Sequence, residues 1–355
     1  MITTTSRTTI NAIQERPARR DRLTMRRLVI TLAALTVALL VIAVVAVAVG
    51  SEHVRLGAIF RIIASEITGH AADVTPEQRI IIADIRIPRA VMAIIVGAAL
   101  SVAGAAYQAL LRNPLADPGI LGISSGAAIG ALLATIFAES LPVSRPIAAF
   151  TGAVLTIAFV YALGQGHRGD SSVRLILAGM ITNALLSSIV IFLVTTASGS
   201  RQRNVLSWLI GNLGSEERLL PLVASLVLVG ILAIYLNARS LNLLMIGEQD
   251  ALALGVEVDR VKLTVYIAAS LVTGAAVAVS GALGFVGLII PHAVRLAGGS
   301  DNRLVVPASA LTGSAFLLLA DTVARTVIAP RELHLGVITA LMGAPVFVYL
   351  LRRTS

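Results

Sequence analysis

Few residues of this chain have a type and spacing that could do chemistry, and most are set against it. Gly122-Ile123-Ser124-Ser125-Gly126 fits the G-x-S-x-G pattern, in which a strand-to-helix turn exposes a nucleophilic serine. Here the glycines continue as Gly122, Gly126 and Gly130, the spacing of helices packed closely in lipid. No histidine falls in an apolar run with an acid to orient it, and no H-E-x-x-H motif occurs. His292 follows Pro291 with no second ligand nearby in sequence, so it reads as a hydrogen-bonded structural histidine, and no metal site is expected. The absence of cysteine removes thiol chemistry, disulfides and thiolate metal sites. The one lysine, Lys262, follows Arg260-Val261 rather than a glycine-rich loop. There is no Walker A phosphate cradle, so the chain cannot hydrolyse ATP by itself. Neither an enzyme nor a cofactor is expected.

The elements that hold these residues follow from composition. Of 355 residues 57% are hydrophobic and 13% charged, with mean hydropathy +0.90, which places the chain in a bilayer. Crossing roughly 30 Å of hydrocarbon takes about 20 apolar residues, and about ten such runs are present. They begin near Leu28, Ala90, Gly119, Ile147, Val173, Leu219, Leu263, Leu283, Leu304 and Leu335. Short polar breaks separate them, so residues 28–355 read as one all-α membrane domain rather than a barrel, whose segments would alternate over about ten residues. Residues 1–27 form an arginine-rich tail. The run from Leu28 to Val49 ends in Ala46-Val47-Ala48, which resembles a cleavage site. It is longer than the roughly 7 to 15 residues of a signal sequence and reads as a retained helix. The tail then lies in the cytoplasm by the positive-inside rule, and ten spans return Arg352 and Arg353 to the same side. The net charge of +9 sits mostly in the tail and suits anionic lipid, not nucleic acid. The stretch around Arg55 to Arg89 reads as a wet outer loop, its bases balanced by Glu52, Glu66, Asp73, Glu77 and Asp84. Asp321 and Arg325 alone sit near a position inside a span, four apart on one helical face, as a buried functional pair or an ion pair at a helix end.

Three stretches break the helical pattern. In QALLRNPLADPGIL, residues 108–121, Pro114 and Pro118 force a turn between two apolar runs. Such a turn is an ordinary loop or the mouth of a path, with Asn113 and Leu115 pointing across it. In residues 237–262, Gly247 and Gly255 bracket a short helix that opens on Glu248 and Asp250 and continues through Ala251, Leu252 and Leu254. Its apolar residues imply a docking partner or contact with the bilayer surface. In residues 281–303, Gly281, Gly284, Gly287 and Pro291 interrupt a run short for a span.

Taken together, RIPRAVMAIIVGAALSVAGAAYQALLRNPLADPGILGISSGAAIG, LNLLMIGEQDALALGV, GFVGLIIPHAVRLAGGSDNR, LLLADTVART and LHLGVITALMGAPVFVYLL resemble the FecCD family. These are permease subunits of type II ABC importers for iron–siderophore complexes, haem and vitamin B12. The resemblance runs from about residue 80 to 351. It implies the type II ABC importer permease fold with ten transmembrane helices in the cytoplasmic (inner) membrane. It also implies a second permease subunit, identical or homologous, two ABC ATPase subunits inside and an extracytoplasmic substrate-binding protein outside. Within the family, arginines of an RLPR and an ADIVAR motif meet acids of the binding protein; the matching residues are Arg86, Arg89 and Arg325, expected as exposed rim contacts. The cytoplasmic gate falls by similarity at Asn113, Leu115 and Ser172, with Val173 where a small polar residue is usual. The coupling helices fall at about 240–260, with Gly247, Glu248, Ala251 and Gly255 toward the ATPase. The implied function is alternating-access import of a metal chelate, an iron(III)–siderophore before haem or vitamin B12. An ion-coupled secondary carrier and a non-transport scaffold are the competing readings.

Overall fold

The computed structural model describes residues 23–50, 56–68, 74–137, 144–164, 171–196, 199–214, 217–329 and 331–354; most of the tail lies outside them. Each of the ten apolar runs is a helix or ends within one. The first is α1 (Met25–Ala48), opened by Thr24, whose hydroxyl accepts from the Arg27 amide. The region expected as a wet loop is instead largely helical. It holds α2 (Leu56–Thr68) and α3 (Pro76–Arg79), which continues through a π-helical stretch, Ile80–Arg86, into α4 (Ile87–Leu110) without a break. The second span therefore starts at Pro76 rather than near Ala90 and runs 35 residues. The local acids and arginines obscured this in the sequence, because charge reads as loop when its partners are distant.

The chain goes on through α5 (Ile123–Phe137), α6 (Ser144–Gly164), α7 (Ser171–Thr196) and the short polar α8 (Ser200–Leu209). Next come α9 (Leu220–Leu236), α10 (Ala238–Ile246) and α11 (Glu248–Ala253). The chain closes with α12 (Val258–Ser280), α13 (Val286–Gly298), α14 (Asn302–Thr326) and α15 (Leu335–Thr354). Among the described residues six helices are long and apolar enough to cross a membrane, or seven where α9 and α10, bent by 53°, count as one span. The remaining apolar helices, α5, α13 and the described part of α15, are shorter. Two of these three directly follow the breaks at residues 108–121 and 281–285.

The helices pair by omitting side chains. A Cβ at Gly104 would collide with the Gly287 backbone of α13, and one at Gly97 with Gly313 of α14. The Gly122, Gly126 and Gly130 stripe lies against α6 and α7: Gly126 meets Gly152 and Thr156, and Gly130 meets Ala148. Serines then bond across the close contacts: Ser101 Oγ donates to the Ser309 carbonyl at 2.7 Å, and Ser314 Oγ to the Ile94 carbonyl at 2.8 Å. Such bonds between membrane helices average about 0.6 kcal/mol each. The result is a buried centre of α4, α12 and α14, with α1 and α7 facing outward along nearly their whole length.

Gly104→Val is expected to overpack the α4–α13 contact and destabilise the detergent-purified protein by about 1–3 kcal/mol. Gly284→Ala, where no atom lies within 4 Å of the added carbon, is expected to shift thermal unfolding little.

Candidate gate, coupling and outer-face sites

At the end of α4 the prolines remove helical partners, and side chains replace them. Leu111 ends the helix, and Arg112 turns the chain at φ +50°, in the left-handed region that non-glycine residues rarely occupy. Asn113 Oδ1 accepts from the Leu115 amide at 2.9 Å, and Asp117 Oδ1 from the Gly119 amide at 2.7 Å. Burial pushes the Asp117 carboxyl up to about 6, against the Gly119 bond, which favours the charged form. Gly122, at φ +78°, closes the turn against Asn183 of α7. Asn113, Leu115 and Asp117 thus line one cavity of about 380 Å³ with Met180 and Asn183. The structure brings together two of the three expected gate residues. Ser172 lies in the first turn of α7, its side chain outside the described residues.

The second break folds as a helical hairpin. Gly247, in extended conformation, joins α10 to α11, and Gly255, at φ +83°, ends the turn after it. Glu248 and Asp250 occupy the first turn of α11, where the helix dipole favours carboxylates. Ala251 is fully buried, so it packs α11 onto its own chain instead of facing a partner as expected; Ile246, Leu252 and Leu254 are the exposed residues. Glu248 also faces inward, with Oε1 2.5 Å from Lys262 Nζ of α12 and 3.7 Å from Arg112 Nη2 at the turn after α4. On the other side of the hairpin, Asn242 of α10 donates to Asp301 at 2.8 Å and accepts from the Asn302 amide at 2.8 Å. Hydrogen bonds from Arg303 hold the Asp301 carboxyl down at about 2. No local signal in the sequence marked Lys262, Arg112 or Asn242 as part of this hairpin.

At the opposite end of α4, about 36 Å away at 1.5 Å per residue, the three arginines are not an exposed rim. Arg86 is 5% and Arg325 9% exposed. Arg86 Nη1 donates to the Val47 and Ala48 carbonyls at 2.9 and 3.2 Å, and Arg325 Nη2 to the Ala46 carbonyl at 3.1 Å. They satisfy carbonyls at the end of α1 that have no helical partner. Asp321, fully buried, accepts from Arg325 Nε and Arg89 Nε, both at 3.0 Å, so the i,i+4 pair expected from sequence is part of a larger network. Arg89 also reaches Glu332 at 2.8 Å, and the half-exposed Glu332 carries the network to the surface. His292 Nε2 has no hydrogen-bond partner among the described residues. Among the described residues no group of three or more His, Asp and Glu is placed to hold a metal ion.

Multiple apolar helices around a glycine-packed centre, a side-chain-stapled turn beside a cavity, and a hairpin with an exposed apolar edge define a polytopic membrane permease without a motor of its own. The sequence model of the FecCD transport family matches residues 36–353, and the chain belongs to that family. It is 46% identical over 275 residues to the cobalamin import system permease protein BtuC of Halobacterium salinarum, covering 77% of this chain and 74% of that protein. It is 42% identical over 276 residues to the hemin transport system permease protein HmuU of Yersinia pestis, covering 76% and 82%. A solved structure of a metal-chelate type ABC transporter in an inward-facing conformation superposes with a TM-score of 0.78 at 30% identity, over 92% of this chain and 99% of that one. The chain is thus an all-α, multi-pass permease of the ABC importer class in the cytoplasmic membrane, not an enzyme; ATP hydrolysis belongs to a separate subunit in these importers.

Asp321→Asn removes the carboxylate that Arg325 bonds and leaves Arg89 only Glu332, and is expected to destabilise the protein by about 3–5 kcal/mol, against under about 1 kcal/mol for the exposed Glu332→Gln, both read by thermal unfolding. Because the folded state holds the Asp117 proton above the ordinary carboxylate range, it binds more protons than the unfolded chain between about pH 4 and 6. Stability is therefore expected to fall as pH rises through that window, and Asp117→Asn to flatten the fall.

Proposed function

We propose that this chain is the permease of an importer that carries a metal chelate inward by alternating access, powered by two ABC ATPase subunits at the α10–α11 hairpin. The observation that carries this reading is the hairpin itself. It exposes Ile246, Leu252 and Leu254 to a partner while Glu248 joins it to the turn beside the Asn113 and Leu115 cavity. A secondary carrier or a scaffold has no use for such a connection. ATP closes the partner subunits, the hairpin moves with them, and the helices rock about the cavity. The chain pairs with a second permease, a copy or a homologue, and a substrate-binding protein docks outside. Residues 1–27 act as a cytoplasmic tail and 28–355 as the permease domain, with both termini inside.

The cargo we favour is an iron(III)–siderophore. Cobalamin and haem, named for the relatives above, are the alternatives. Asn113, Leu115 and Ser172 serve as the inner gate, and Gly247, Glu248 and Gly255 position the hairpin, with Ala251 as its packing contact. On the outer face, Arg89 with Glu332 reaches the binding protein, while Arg86 and Arg325 hold the surface that presents them.

The complex reconstituted with its ATPase and binding protein is expected to hydrolyse ATP faster with one metal chelate among ferric siderophore, haem and cobalamin. Uphill transport by the chain alone in nucleotide-free liposomes would overturn the reading. Glu332→Gln, by freeing Arg89 for an acid on the binding protein, is expected to strengthen docking by up to about fivefold, and Arg89→Gln to weaken it by a similar factor.

A further inference from the structure

Four features converge on Arg112. It is one of two described non-glycine residues at positive φ, in the left-handed region at +50°. It directly precedes Asn113 and Leu115, which line the inner cavity. Its guanidinium lies 3.7 Å from Glu248, the first residue of α11. Glu248 in turn holds Lys262 of α12 at 2.5 Å. One carboxylate therefore joins three elements by two unequal bonds. The short bond to Lys262 keeps Glu248 on the hairpin's own side. The bond to Arg112 sits near the outer limit of an ion pair, in partly exposed surroundings where charges are well screened.

We propose that Arg112 is a positioning residue for transport: its pair with Glu248 holds the left-handed turn, and movement of α11 under its partner is relayed through that pair to Asn113 and Leu115. With the pair made, Arg112 is kept in a backbone conformation its side chain disfavours, and the cavity keeps its present lining. With the pair broken, the turn relaxes and the two gate residues shift. The charge pair sets the coupling between hydrolysis and gating, whereas the prolines set where the turn falls. This inference rests on the permease reading above.

The test uses the full complex, with its ATPase and binding protein, in proteoliposomes, and measures substrate moved per ATP hydrolysed. Arg112→Gln is expected to lower that ratio at least about fivefold, the lower end of ordinary coupling between sites, and Arg112→Lys to restore most of it. A merely structural role would lower hydrolysis and transport together and leave the ratio unchanged. That result overturns the proposal. The natural chain has no cysteine, so Arg112→Cys with Glu248→Cys can be bridged selectively by a bifunctional thiol reagent. Bridging is expected to stop the transport that the double variant retains, and cleaving the bridge to return it to that level. Transport at the unbridged rate while bridged overturns the proposal as well. A wild-type chain that recruits no ATPase overturns the permease reading itself, an outcome read before any variant is made.

Discussion

Water does not reach the hydrocarbon core, so each backbone donor and acceptor there must find a partner within the protein. α1 ends with carbonyls at Ala46, Val47 and Ala48 that have none of their own in the helix, and Arg86 and Arg325 supply the donors. Asp321 provides the counter-charge to Arg325 while also binding Arg89. One unsatisfied helix end thereby joins α1, the π-helical stretch, α4 and α14. The same requirement shapes the inner turn, where Asn113 and Asp117 accept from the amides that Pro114 and Pro118 leave without helical partners.

Between these two ends the protein is stiff. Backbone meets backbone at Gly97–Gly313 and Gly104–Gly287, and serines bond across those contacts. This packing stops at the turn after α4, at the bend at Asn237 and at the hairpin that follows it. The α1 end of the bundle is held by buried charge and the hairpin end by partly exposed charge.

The fold was largely legible in the sequence because its signals are local. Ten apolar runs, the four-residue glycine spacing and the paired prolines each act over a turn or two of chain, and all became structure. What stayed hidden acts at a distance. Arg89 and Asp321 are 232 residues apart, and neither carries a mark of the other. Resemblance transferred the identity of Arg86 and Arg325 but not their burial, since matching residues in two chains need not face the same way. Ala251 was read as a contact because it belongs to the hairpin motif, yet only the helical face it occupies decides that, and it occupies the inner one. The residues from Pro76 to Arg86 looked like loop because their charges are visible in sequence and the partners that bury Arg86 are not.

The capping of α1 also bears on how the protein is made. The acceptors lie at residues 46–48, and their donors lie at 86 and 325. The last carbonyls of α1 thus gain their full set of these donors only once α14 has been synthesised. Ribosomal order and structural order run opposite ways here. The N-terminal helix is threaded first and locked last, and a nascent chain stalled before α14 would hold it by a single arginine.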